Sequence, residues 1–260
     1  MNIPKYVGIT GFTSFEQVES MLGVFKANKK AGSKRKLHVG VMMSYKTLNG
    51  IPTEFDGAFP PKELIASIFA SGEAYNCLHF ADYHEHGHPD LARTLVKAIY
   101  WCGCINLHAV QLDMVWPDPG EIACGTHMSR QCIQVILQIG PKAFEEIGDD
   151  PDKLVERLGD YHGAINGVLL DRSAGRGLGM DAKALLPFAR AVRRSLPEFG
   201  IGVAGGLGPD TMSLTEPLIR EFPGVSVEVQ WKPCHSGSSK DPIDCDFARE
   251  YLVKSLQLLD

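Results

Sequence analysis

Residues 167–181 read GVLLDRSAGRGLGMD. An apolar run stops on Asp171, and Gly175, Gly177 and Gly179 then recur at every second position before Asp181. A carboxyl group at the end of a buried strand can give or take a proton. Glycines beside it let backbone approach a ligand with no Cβ in the way. A second carboxylate, Asp113, ends the run AVQLD in the same manner. In VSVEVQW, Val225, Val227, Val229 and Trp231 share one face, and Ser226, Glu228 and Gln230 share the other. In QCIQVILQI, Gln134 and Gln138 oppose Val135, Leu137 and Ile139. Burying such polar groups costs several kcal/mol unless they are paired or used. Asp113, Asp171, Gln230 and Gln138 are thus candidates for one site, and a polar interior layer with satisfied hydrogen bonds is the plainer alternative.

Other residues suggest further chemistry. Gly205-Gly206 precedes a helix expected to begin near Pro209, an arrangement that aims backbone N–H groups at an anion. His84, His86 and His88 stand at alternate positions in DYHEHGHPD. Such a triplet could hold Zn²⁺ or another divalent metal, or it could be a solvated loop. His79 lies just upstream, on a strand, where it could face the same mouth. His235 could be an acid, a base or a phosphate donor, and reads equally as an ordinary loop residue. Cys102-Gly103-Cys104 lacks the spacing of a zinc site and reads as thiols at a helix end. The basic run NKKAGSKRK reads as a solvated turn.

These groups need a scaffold. Strand-like segments near 5–10, 36–43, 76–81, 107–113, 132–139, 165–171, 199–204 and 225–231 alternate with helix-like ones near 14–27, 60–71, 89–101, 119–130, 151–160, 182–196, 209–221 and 244–258. An extra short helix is expected at 141–148. Thr13 and Glu16 have capping-box spacing, and Pro61 and Pro89 suit first turns. Pro187 implies that the regular part of its helix starts late. Alternating strands and helices over 260 residues predict a single-domain (β/α)8 barrel spanning 1–260. The competing open sheet would carry a G-x-G-x-x-G turn after its first strand; GITGFTS does not. A barrel delivers strand-terminal side chains to a site at its C-terminal rim.

The bulk composition narrows the partners. A formal net charge of −5 gives no basic field for nucleic acid or anionic lipid. No apolar run approaches the ~20 residues that cross a bilayer, and the N-terminus lacks a signal peptide's charged and apolar regions. Seven cysteines, an odd count, suit reduced thiols and a cytoplasmic location. No nucleic-acid and no membrane partner is expected. A homodimer stays open as the assembly.

LLDRSAGRGLGMD resembles the sixth-strand motif of phosphoribosylanthranilate isomerases, which are ribulose-phosphate-binding barrels. VAGGLGPDTM is similar to their seventh strand and phosphate loop, AVQLD to their fourth strand, KYVGIT to their first and MSYK to their second. The resemblance implies an Amadori rearrangement of an aminoaldose phosphate, with Asp171 as acid. It places Val7 where the family has its cysteine base, so Asp113, standing where the family has histidine, becomes the candidate base. It puts Lys46 where the family has a carboxylate-binding arginine. Phosphate contacts fall to Gly205, Gly206, Gly175 and Gly177, joined by Ser236 and Gly237 in an eighth loop longer than the family's, with Gln230 near the ligand. No cofactor is required on this reading, although a divalent metal stays open at His84, His86 and His88. The alternatives are a metal-dependent phosphosugar epimerase or lyase, and a phospholigand-binding barrel without catalysis.

Overall fold

A computed structural model describes residues 3–53, 57–82, 89–103, 105–173, 179–230 and 242–260. The strands are β1 Tyr6–Thr10, β2 Lys36–Ser44, β3 Tyr75–Ala81, β4 Ala109–Asp113, β5 Gln134–Ile139, β6 Gly167–Asp171, β7 Gly200–Ala204 and β8 Ser226–Val229. Each pairs in parallel with its neighbours in chain order, and β8 closes on β1 to complete the barrel. The helices are α1 Phe15–Asn28, α2 Tyr45–Leu48, α3 Lys62–Ile68, α4 Leu91–Trp101, α5 Pro119–Met128, α6 Pro141–Glu146, α7 Pro151–Gly159, α8 Ala182–Ser195, α9 Glu216–Glu221 and α10 Cys245–Leu259. None of the described helices is long and apolar enough to cross a membrane.

Alternation along the strands sorts the residues into two cores. Val7, Ile9, Val39, Val41, Leu78, Phe80, Val110, Leu112, Val135, Leu137, Val227 and Val229 join the helices in one continuous apolar cluster. Tyr6, Tyr75, Cys77, Ala109, Ile136 and Leu169 form a separate cluster inside the barrel. The interior mixes large and small residues. A Cβ on Gly202 would lie 2.9 Å from the Tyr6 hydroxyl, so that glycine makes room for the ring. A Cβ on Gly40 would lie 2.0 Å from Thr10 Oγ1, a hard overlap.

Local signals place most helices, with four differences from expectation. The N-cap of α1 is Ser14, not Thr13, and its capping box closes with Gln17 rather than Glu16. Gln17 Oε1 accepts from the backbone N–H groups of both Thr13 and Ser14, which draws the helix start one residue onward. Helix α8 does not start late: Asp181 caps it by accepting from Ala184 N, and Pro187 sits inside the helix. No regular helix begins near Pro209. Thr211 Oγ1 donates to the carbonyls of Gly206 and Gly208 and closes a turn first, so a 3₁₀ turn over Met212–Thr215 precedes the short α9. Helix α2 was not expected; Ser44 and Thr47 cap it reciprocally.

Candidate active site

Parallel pairing gathers all eight strand C-termini at one rim. Asp171 ends β6 and Asp113 ends β4, and both side chains follow the inward alternation of their strands. Asp171 Oδ1 accepts two hydrogen bonds from Ser173, from its backbone N at 2.8 Å and its Oγ at 2.7 Å. Burial raises the Asp171 carboxyl above the ordinary carboxylate range. The Ser173 bonds pull it back, while the nearby charges of Asp113 and Glu228 add to the rise. The net effect favours the protonated acid.

Gly205, just past β7, meets this carboxyl closely. A Cβ there would stand 3.3 Å from Asp171 Oδ1, and its φ of 125° is open only to glycine. Gly206 follows with φ 55°. The β7 turn therefore brings bare backbone against the β6 carboxyl.

Arg172 takes the opposite direction. Its guanidinium lies 4.9 Å from the Phe144 ring centroid and 5.5 Å from that of Phe188, and it donates to Asp149 at 2.7 Å. It borders a cavity of ≈ 340 Å³ with Pro141, Phe144, Glu145, Gly148 and Asp149.

Behind the rim, a polar chain fills the barrel. Thr10 Oγ1 donates to Glu228 Oε1 at 2.8 Å. Gln111 Nε2 lies 3.3 Å from Glu228 Oε1, 3.0 Å from Gln138 Oε1 and 2.9 Å from His79 Nδ1. His79 Nε2 faces Asp113 Oδ2 at 3.4 Å. Glu228 is 2% exposed, inside the barrel as its strand alternation predicts. Gln230 reaches the sulfur of Met42 at 3.3 Å. Gln134 sits at the opposite end, where its Oε1 accepts from the Tyr75 hydroxyl at 2.8 Å.

One expectation changes. Val7 packs with the helix-side core, while its neighbours Gly8 and Thr10 point inward: Gly8 faces Glu228 and His38, and Thr10 bonds Glu228. A thiol at position 7 would point away from the mouth, so Val7 does not occupy a lost catalytic position. Lys46 is exposed on α2. His84, His86, His88, Gly175, Gly177, Ser236 and Gly237 lie outside the described residues. Among the described residues, no group of three His, Cys, Asp or Glu side chains is placed to hold a metal ion. The central Gln111–Glu228–Thr10 connection was not anticipated, although each inward position could be read from period-2 alternation.

No family model matches the chain, and no curated protein does. Solved structures are similar to it in fold. N-(5'-phosphoribosyl)anthranilate isomerase from Pyrococcus furiosus superposes with a TM-score of 0.62 at 18% identity, covering 96% of this chain and 98% of its own. Phosphoribosyl anthranilate isomerase from Thermococcus kodakaraensis gives 0.60 at 16% identity, covering 98% of each chain. A phosphonopyruvate hydrolase gives 0.51 at 13% identity, with 86% of this chain and 74% of its own covered. At these identities the likeness establishes the architecture, a (β/α)8 barrel.

Proposed function

We propose that this chain is an isomerase-like enzyme that moves a proton between adjacent carbons of a phosphorylated sugar derivative. The rearrangement is of the Amadori type and is run by carboxylates. The observation that carries the reading is the placement of Asp171 and Asp113 at one rim, with Asp171 held toward its protonated form. Two structurally similar barrels bearing the name phosphoribosylanthranilate isomerase support the choice of reaction.

Asp171 gives its proton to the sugar ring oxygen as the C1–O bond breaks, and the lone pair of the C1 nitrogen closes to C=N. Asp113 takes the proton from C2. The C–H electrons form C1=C2, and the C=N electrons return to nitrogen. The C1=C2 electrons then take up a proton at C1, as the C2 hydroxyl loses its proton to water and its O–H electrons close to C2=O, which yields the aminoketose. The glycine pair Gly205-Gly206 is suited to the phosphate because its successive positive-φ residues carry no side chain between their backbone N–H groups and a ligand. Gly175, Gly177, Ser236 and Gly237 complete that proposed cradle, with Lys46 and Gln230 toward the rest of the ligand.

The test is turnover of phosphoribosylanthranilate and a panel of aldose phosphates by wild type and Asp171→Asn. The expected result is turnover by wild type, lost in the variant, with phosphosugar binding retained in both. Equal rates would remove Asp171 from the mechanism. Binding without turnover of any panel member would leave a phospholigand-binding barrel. Gly206→Asp, which sets a carboxylate in the cradle, should abolish phosphosugar binding.

A further inference from the structure

His79 is 1% exposed, on β3, and touches a polar group through each ring nitrogen. Toward the mouth, Nε2 faces Asp113 Oδ2 at 3.4 Å. Toward the barrel centre, Nδ1 lies 2.9 Å from Gln111 Nε2. An amide nitrogen has two hydrogens to donate and accepts nothing. Of the acceptors around it, His79 Nδ1 is the nearest, ahead of Gln138 Oε1 at 3.0 Å and Glu228 Oε1 at 3.3 Å. Gln111 is itself held from below, since the Glu228 oxygen it approaches also accepts from Thr10. With Nδ1 used as an acceptor, the proton of the neutral ring must sit on Nε2, the nitrogen that faces Asp113.

We infer that His79 is the positioning residue of this site: Gln111 sets its tautomer, and its Nε2–H orients the Asp113 carboxyl group. Asp113's part as base rests on the function proposed above; the His79 tautomer does not. The charged or titratable groups that act on His79 are Asp113 on β4, Glu228 on β8, Asp171 on β6 and His38 on β2. Burial alone would depress the His79 imidazolium. The bond to Asp113 and the charges of Asp113, Glu228 and Asp171 outweigh burial and raise it. The second proton must enter at Nδ1, so Gln111 must then turn its amide to present Oε1, an atom with no partner in the present arrangement.

Nitrogen-15 NMR of the full chain with labelled histidine tests this without substrate. Above its titration, His79 should show a protonated Nε2 and an unprotonated Nδ1. An Nδ1–H tautomer, or a fast mixture of both, would overturn the inference. In Gln111→Leu the single tautomer should be lost, and its persistence would also count against the role of Gln111. Where turnover is found, His79→Leu should lower kcat by about tenfold or more, with KM changed by less than about threefold. His79→Gln keeps an N–H donor and should restore part of that loss. An unchanged kcat would leave His79 a merely structural residue. Absence of turnover in wild type would sink the proposed reaction while the NMR result still decides the tautomer.

Discussion

His38 and His79 stand on adjacent strands, point into the same barrel and are each 1% exposed, yet they are pushed in opposite directions. Burial depresses both imidazolium forms. In His38 burial wins: the ring stacks on Tyr6 at 4.6 Å, neither nitrogen has a hydrogen-bond partner, and the pull of Glu228 does not compensate. In His79 contact with Asp113 and the nearby carboxylates reverses the sign. Equal burial therefore does not fix a titration; the groups within reach of the ring do. The barrel divides accordingly. Its N-terminal end, filled by Tyr6, His38 and Tyr75, is built to stay neutral. Its C-terminal end gathers Asp113, Asp171 and His79, the groups that exchange protons on the function proposed.

The largest effects should come from the mouth. Asp171→Asn should lower turnover by about 10²–10⁴-fold, the range for losing general acid–base assistance. Its stability should move the other way. A carboxyl whose folded value is raised stabilises the fold below its unfolded value, and that contribution is lost as pH rises through the folded value. Burial disfavours whatever negative charge Asp171 carries at neutral pH, and the amide removes that penalty while its oxygen still accepts from Ser173. Thermal unfolding at neutral pH should place the variant at or above wild type, and a clear drop would contradict the protonation argued for Asp171. Asp113→Asn should lose turnover on the same scale.

An intermediate effect distinguishes hard from soft packing in the barrel. Gly40→Ala puts a Cβ 2.0 Å from Thr10 Oγ1 and 2.9 Å from the Thr10 Cα, so backbone must shift and the Thr10–Glu228 bond is disturbed. Overpacking of this kind costs about 1–3 kcal/mol. Gly202→Ala meets side-chain ends instead, Leu169 Cδ1 and the Tyr6 hydroxyl, each at 2.9 Å. It should cost less, and denaturant unfolding of the two variants side by side checks the order.

Most of the mouth was legible because its strands alternate cleanly. VSVEVQW announces Glu228 as an inward residue, and AVQLD and GVLLD each end on the rim carboxylate. Strand β3 was harder. YNCLHFA has an apolar or small residue on both faces, so period-2 reading says little about His79. Its partner Gln111 is 32 positions away and Glu228 is a further 117 from Gln111, so the chain that explains His79 exists only once the barrel closes. The KYVGIT motif carried the opposite lesson. Matching letters set Val7 on the family's cysteine, but the pleat of β1 turns that position toward the helices. The expected helix at Pro209 failed for a local reason, since Thr211 found carbonyl partners behind it before a helix could start.

The smallest effect at neutral pH, and the sharpest test of the contrast between the two rings, lies in the slopes of stability against pH. His38 has a folded value below its ordinary one of about 6.5. It is neutral in the fold, and its contribution is present above the unfolded value and lost as pH falls toward the folded one. His38→Phe keeps a ring against Tyr6, removes two unpartnered nitrogens and removes that loss. Near pH 7 the change should stay within about 1 kcal/mol, because a slightly larger ring offsets the gain from deleting buried unpaired atoms. On acidification below about pH 6.5 the variant should gain steadily on wild type. His79 has the opposite sign. Its raised folded value contributes stability that is complete below the unfolded value and is lost as pH rises through the folded one. His79→Leu should therefore cost more at about pH 6 than at about pH 8. Urea unfolding of the three proteins across that range gives two difference curves, in which ionisations common to all of them cancel. Curves of opposite slope are expected. Parallel curves would mean that one kind of environment surrounds both rings, and the division of the barrel into a neutral end and a proton-exchanging end would fall.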